Sequence, residues 1–285
     1  MIKPIFCFAI PFIQATCGCQ SNQSQPEMAA VAVSRQIENT DGATIRLRFN
    51  PPAGYVRQET PASSFADFLR NLPLKPANAT VQLFDGRLKA RQSVHAAVVD
   101  MDTGDRDLQQ CADAVMRLRA EHLFAQKQYD QIHFNLTNGF NMAYAKWRQG
   151  YRIRVDGNKT EWYATDTPST SYESFRQYLD FVFMYAGTLS LSKEMQPKPV
   201  KNLAIGDVFI QGGSPGHAVI VVDVAVREGT GEKVFLLAQS YMPAQEIHVL
   251  VNPNDAELSP WYSRDFGNKL ETPEWTFERE MLKFF

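Results

Sequence analysis

Gly206-Asp207-Val208-Phe209-Ile210-Gln211-Gly212-Gly213-Ser214-Pro215-Gly216-His217-Ala218-Val219-Ile220-Val221-Val222-Asp223 is the stretch on which the fold turns. Asp207 to Gln211 predicts one strand, and the Gly-Gly-Ser-Pro-Gly segment predicts a turn. The strongly apolar run from His217 to Val226 then predicts a buried strand. Val234 to Gln239 follows the polar loop 227–232 and predicts a third strand, antiparallel to the second, completing a β-meander.

Working outward, Asp102 to Asp105 reads as a turn around Gly104, and Asp107 reads as the N-cap of a helix reaching about Gln126. Leu108, Cys111, Ala112, Val115, Leu118 and His122 share one face of it, which puts Cys111 in the first turn, facing inward. Thr44 to Phe49 alternates as a half-buried strand ended by Pro51 and Pro52, and Ser63 to Leu72 reads as a short helix. Val81 to Phe84, Val94 to Met101 and Gln131 to Thr137 read as strands. Tyr151 to Val155 and Thr160 to Ala164 read as a hairpin turning at Asp156-Gly157. Ser171 to Ala186 reads as an amphipathic packing helix, in which Glu173, Arg176 and Asp180 argue against a membrane segment. The class is α+β, as one domain over residues 44–285 with no internal repeat.

Of 285 residues, 44% are hydrophobic and 21% charged, an ordinary globular composition. The formal charge of -2 offers no basic field, so no nucleic-acid partner is expected, and a monomer is the simplest state. Four cysteines cannot form a disulfide scaffold for a chain this long, and three of them, Cys7, Cys17 and Cys19, fall at the amino terminus. Lys3 followed by the apolar run Ile5 to Ile13 reads as an export signal over residues 1–18; the run is far short of the roughly 20 residues that span a bilayer. The polar stretch that follows reads as a flexible tether over residues 19–43.

Cys111 is left alone in the body, and its candidate partner is His217. A helix N-terminus favours a thiolate and offers N–H groups to a developing oxyanion, while a histidine beside it can take the thiol proton. Gln239 is the choice for the residue that orients the imidazole, since it ends the strand paired with His217 to Val226; a one-residue slip of register would offer Ser240 instead. Asp223 shares the face of His217 by alternation but lies about 20 Å along the strand. Asn138, Phe140, Tyr144 and Trp147 sit in a segment rich in amides and aromatics of the kind that bind sugars or peptides. His95, His122, His133 and His248 show no paired-ligand spacing, so no metal or other cofactor is expected. Against the catalytic reading, Cys111 is equally a core residue beside Leu108, Val115 and Leu118, and His217 equally a satisfied turn residue.

The block Gly206-Asp207-Val208-Phe209-Ile210 followed by Gly216-His217-Ala218-Val219-Ile220 resembles the histidine block of NlpC-type and CHAP-type cysteine amidases of bacterial envelopes. Gln109-Gln110-Cys111-Ala112-Asp113-Ala114 stands where those enzymes carry their cysteine helix, with Gln110 in place of the aspartate that often precedes the nucleophile. That resemblance implies a papain-like fold, with a Cys-bearing helix packed on an antiparallel sheet bearing the His. It also implies hydrolysis of amide bonds in a peptide or glycopeptide, with residues 129–200 as a large insertion. A cysteine after a short apolar run resembles the bacterial lipobox, with Cys19 or Cys17 as the lipid anchor to a membrane. Over Thr44 to Phe285 the chain looks like an uncharacterised family of bacterial envelope lipoproteins, which implies a periplasmic or outer-membrane location in a Gram-negative cell. A non-catalytic envelope lipoprotein that binds peptide or glycan through the same cleft is the competing expectation.

Overall fold

The computed structural model describes Met1, residues 37–165 and residues 167–285, so the export signal, Cys7, Cys17, Cys19 and most of the tether lie outside the described residues. The chain runs through α1 (Ile45–Arg48), β1 (Tyr55–Arg57), α2 (Phe65–Arg70), β2 (His95–Val98) and α3 (Cys111–Ala125). Next come β3 (His133–Asn135), β4 (Asn141–Ala143), α4 (Tyr144–Trp147), β5 (Tyr151–Asp156), β6 (Lys159–Ala164), α5 (Tyr172–Tyr185) and α6 (Thr188–Glu194). The meander follows as β7 (Gln196–Pro197), β8 (Val208–Gln211), β9 (His217–Arg227), β10 (Lys233–Gln239) and β11 (His248–Leu250). The chain closes with β12 (Tyr262–Ser263), β13 (Lys269–Glu271), β14 (Thr276–Glu278) and β15 (Leu282–Phe284).

The result is an α+β domain built on a large antiparallel sheet, ordered β2-β11-β10-β9-β8-β15-β7, with β1 and β12 added against β9 and β10. β9 is its centre. Its first nine residues are buried, which is why its sequence is almost unbroken Val, Ile and Ala. Ala218, Ile220 and Val222 face the larger core with α3 residues such as Val115 and Leu118, whereas Val219, Val221 and Val224 face a second core with Phe209, Phe235 and Phe277. Burial of each such large side chain contributes roughly 1.5–3 kcal/mol. The switch of parity between Val222 and Val224 marks a β-bulge: Leu236 pairs with Asp223 and Leu237 with Val221, leaving Val222 over. Asp223 is therefore turned away from the face of His217, contrary to simple alternation. It is fully buried and takes Arg57 Nε and Arg70 Nε, each at 2.7 Å.

Other local expectations shift for identifiable reasons. Thr44 to Phe49 is a helical turn instead of a strand, because Ile45 and Phe49, four residues apart, are the buried pair, and Thr44 Oγ1 caps the turn by accepting from Leu47 N at 3.3 Å. Packed structure is present by Ile37, which is buried, and Glu38 bridges Phe49, inside the stretch expected to be a tether. Val81 to Phe84 makes only isolated bridges, Gln82 with Leu88 and Leu83 with Gln245. The strands expected over Val94 to Met101 and Gln131 to Thr137 contract to β2 and β3. The β5–β6 hairpin turns at Gly157-Asn158, one residue later than expected, because Gly157 at φ +57 takes the first central position.

Residues 129–200 form two hairpins, α4, α5 and α6 around an aromatic cluster. Phe124 stacks on Phe175 at 4.3 Å, and Tyr144 meets Tyr178 at 5.1 Å. Arg117, 1% exposed, joins this region to α3: its guanidinium meets Glu121 at 2.8 Å and Asp102 at 3.0 Å, while Tyr172 Oη donates to Glu121 at 2.7 Å. No helix among the described residues is long and apolar enough to cross a membrane.

Candidate active site

Cys111 is the first residue of α3. The cap is Gln110 instead of Asp107; Gln110 N donates to the Asp113 carboxylate at 3.0 Å, one half of a capping box. Asp107 instead accepts from Ala244 N at 2.7 Å, and Ser240 Oγ donates to Gln109 O at 3.1 Å. The chain just before Cys111 is thereby tied to the chain just after β10. Arg117 adds a third tie by donating to Gln109 Oε1 at 2.7 Å.

His217 opens β9 opposite Gln211, and Gln239 closes β10 opposite His248. These registers bring the two together: His217 Nε2 lies 2.8 Å from Gln239 Oε1. Ser240 points elsewhere, to Gln109 and Gln245 carbonyl oxygens. The imidazole is packed by Tyr241 at 4.9 Å, Trp275 at 5.3 Å and Phe277 at 5.9 Å between ring centres. Gln239 continues to Glu274 Oε2 at 2.7 Å, and Glu274 to Lys89 Nζ at 2.8 Å. Neither Glu274, Trp275 nor Lys89 emerged from the sequence; the one signal was Pro273-Glu274-Trp275 between two short alternating runs, the pattern of the β13–β14 hairpin.

Cys111 is 6% exposed and has no disulfide partner among the described residues. Burial, reinforced by the Asp113 carboxylate, pushes its thiol up to about 11, although backbone N–H groups of Ala112, Ala218 and Cys111 itself point at the sulfur and favour the thiolate. Ala218 follows His217, so the sulfur lies against the strand entrance that carries the imidazole. Tyr241 packs on His217, and burial, followed by the charges of Glu274 and Cys111, pushes its hydroxyl above the usual tyrosine range. His217 is pushed down to about 4 by burial, against the pull of its Gln239 hydrogen bond and with help from the Lys89 charge. His248, fully buried, falls to about 3 for the same first reason. The resting pair is a neutral thiol and a neutral imidazole.

A cleft of about 450 Å³ opens at Cys111. One wall is the start of α3 with Cys111 and Asp113, a second is the glycine loop 213–216, and the third is the end of α5 and start of α6, with Phe183 and Thr188. Residues 183–188 thus close one side of the cleft. A Cβ on Gly216 would sit 2.3 Å from Thr188 Oγ1 and 2.5 Å from Gly213 O, so this glycine is set by close approach and the room above the loop is already filled by α6. His217 is 1% exposed, and by strand parity its ring is on the face opposite α3.

The residues expected to bind substrate are not brought to this cleft. Trp147 and Tyr144 are buried, the indole donating to Ser174 O at 3.0 Å. Phe140 packs on Trp162, and Asn138 donates to Asn158 O at 3.1 Å and Thr160 Oγ1 at 2.8 Å, joining two hairpins. Among the described residues no group of three or more His, Cys, Asp or Glu side chains could hold a metal ion.

Residues 45–284 match the family model DUF4846, a domain of unknown function. The chain belongs to the DUF4846 family. No curated protein and no solved structure matches it. The match spans every element of the DUF4846 domain from α1 to β15, so the cleft, its three walls and the His217–Gln239–Glu274 chain all lie inside the family's boundary.

Proposed function

We propose that the domain is a papain-like cysteine hydrolase of the NlpC/CHAP kind acting on amide bonds, with cell-wall peptides as the substrate class and a lipid on Cys19 or Cys17 tethering it to a bacterial envelope membrane. The observation that carries the reading is the lone thiol of Cys111 at a helix N-terminus, in a cleft, against the N–H of the residue that follows a Gln-bonded histidine. Chemically, once an opening of the site brings the His217 ring round to the sulfur, His217 takes the Cys111 proton as sulfur attacks the carbonyl carbon, giving a tetrahedral oxyanion faced by backbone N–H groups at the start of α3. The intermediate collapses to a thioester as the C–N bond breaks, and the imidazolium returns its proton to the leaving amine. Water, deprotonated by His217, then attacks the thioester, releasing the acid and restoring the thiol. Gln239 holds the ring throughout.

With the thiol near 11 and the imidazole near 4, forming the ion pair in the closed site is steeply uphill, at about 1.4 kcal/mol for every tenfold step. Proton transfer must accompany attack, or follow an opening that wets the site. The same observation favours the second reading, a non-catalytic envelope protein that binds peptide or glycan in the cleft.

Alkylation of Cys111 by iodoacetamide, read by mass spectrometry of its peptide, separates the two. A hydrolase gives a rate that levels off below pH 8 and drops at least about tenfold in His217→Ala. Equal rates in the two proteins, climbing tenfold per pH unit up to about pH 10, would remove the base and leave the binding reading.

A further inference from the structure

The two ends of a glutamine amide have nearly the same shape, so only hydrogen-bond partners decide which way it points. At Gln239 the partners leave one solution. Glu274 Oε2, 2.7 Å from one end, belongs to a carboxylate that can only accept, so that end is the NH2. The other end is then the carbonyl oxygen, 2.8 Å from His217 Nε2. An oxygen without a hydrogen can only accept, so His217 Nε2 carries the proton and Nδ1 keeps its lone pair. A second histidine checks the assignment. His248 Nδ1 lies 2.8 Å from Glu246 O and must donate to it, which leaves His248 Nε2 as an acceptor for the remaining amide hydrogen of Gln239, at 3.3 Å. Every donor in the chain has one direction.

We infer that Glu274 is a positioning residue that fixes, through Gln239, which ring nitrogen of His217 bears the proton, with Lys89 clamping Glu274. Glu274 sits in the β13–β14 connection, whose ends are joined by Thr272 N to Trp275 O at 2.8 Å, and the neighbouring Trp275 packs on the imidazole. Lys89, 7% exposed, holds Glu274 Oε1 at 2.8 Å. Without Glu274 the amide keeps only the longer 3.3 Å bond to His248 Nε2, and turning over then lets it donate to His217 Nε2 in part of the molecules. That hydrogen bond places the ring proton on Nδ1 and removes the lone pair a base needs there. The inference deepens the hydrolase reading and rests on it for its meaning in catalysis, but the tautomer itself is a property of the resting protein.

Long-range 15N–1H NMR of the 15N-histidine-labelled full chain at pH 7 reads it directly, with His217 assigned by the signals lost in His217→Ala. The expected wild-type pattern is a single Nε2–H tautomer. Glu274→Ala removes the acceptor, and Glu274→Gln supplies an amide that can present either end; both are expected to lose the single pattern and show Nδ1–H as well. Lys89→Met, which leaves Glu274 unclamped, gives a weaker version of the same change and serves if the Glu274 variants do not fold. A His217 that remains wholly Nε2–H in the folded variants overturns the inference. Because no turnover is involved, this failure is separate from failure of the alkylation test: an inert thiol with a shifting tautomer removes the hydrolase alone, and a reactive thiol with an unmoved tautomer removes Glu274 alone.

Discussion

Asp223 and Asp113 are both carboxylates taken out of water, one in the middle of the central strand and one in the first turn of α3, and they are met very differently. Asp223, with no exposed surface, accepts from Arg70 Nε and Val224 N on one oxygen and from Arg57 Nε on the other, at 2.7, 2.8 and 2.7 Å. Asp113 accepts from Gln110 N on one oxygen, and the other, also buried, has no partner among the described residues. Burial pushes Asp113 up to about 8, so near neutrality it is mostly a carboxylic acid. The closed valence belongs to the frame and the open one borders the cleft. Buried polar groups are almost always satisfied in folded proteins, and Asp113 shares its open valence with other buried atoms such as Arg48 Nη1 and Tyr144 Oη, so what sets it apart is its place in the cleft wall beside Cys111.

Breaking the closed end has the largest expected effect. Asp223→Ala strands Arg57 and Arg70 near or inside the core and is expected to destabilise by about 3–5 kcal/mol, read from urea unfolding. A loss under about 1 kcal/mol would mean that water already screens the pair. At the cleft, Gly216→Ala drives a methyl into Thr188 and the Gly213 carbonyl; the expected cost is about 1–3 kcal/mol, with a displaced His217 seen as slower alkylation of Cys111. An unchanged stability would show that α6 yields easily.

Sharpening the open end is subtler. Because the folded Asp113 holds its proton to about pH 8 and an unfolded one only to about pH 4, the native state binds more protons between these values. Stability contributed by this group is therefore present at low pH and lost as pH rises toward 8. Asp113→Asn removes that loss and is expected to exceed wild type by about 1–2 kcal/mol at pH 8, with the difference closing near pH 4. His217 and His248 act in the opposite sense, since burial holds them neutral and stability is lost as pH falls toward their folded values. Only the difference between the two proteins isolates Asp113. A difference that is constant with pH would place a partner on its second oxygen.

The meander could be read from residues 206–239 because a strand buried on both faces is written as a continuous apolar run, and its turns are written as glycine and charge. His217 and Gln239 could be placed for the same reason, from a strand end and the strand register, and they meet at 2.8 Å, whereas Cys111 follows only from a helix end. The bulge at Val222 left no trace, since an extra valine in an apolar run looks like any other. Thr44 to Phe49 was misread because six residues fit period two and an i, i+4 pair equally well. Tyr144 and Trp147 show that aromatics with amide neighbours mark a core as readily as a binding face. Glu274 reaches Gln239 across 35 positions, and no local pattern encodes a contact of that span.

That span also fixes an order of events. Synthesis runs from the amino terminus at about 5–20 residues per second, so α3, with Cys111, is made well before the β13–β14 hairpin that carries Glu274. Until Glu274 has emerged, the amide of Gln239 has only His248 to hold it and lacks the partner that fixes it firmly against His217. The thiol is among the early parts of this molecule, and the group that would make it useful is among the last.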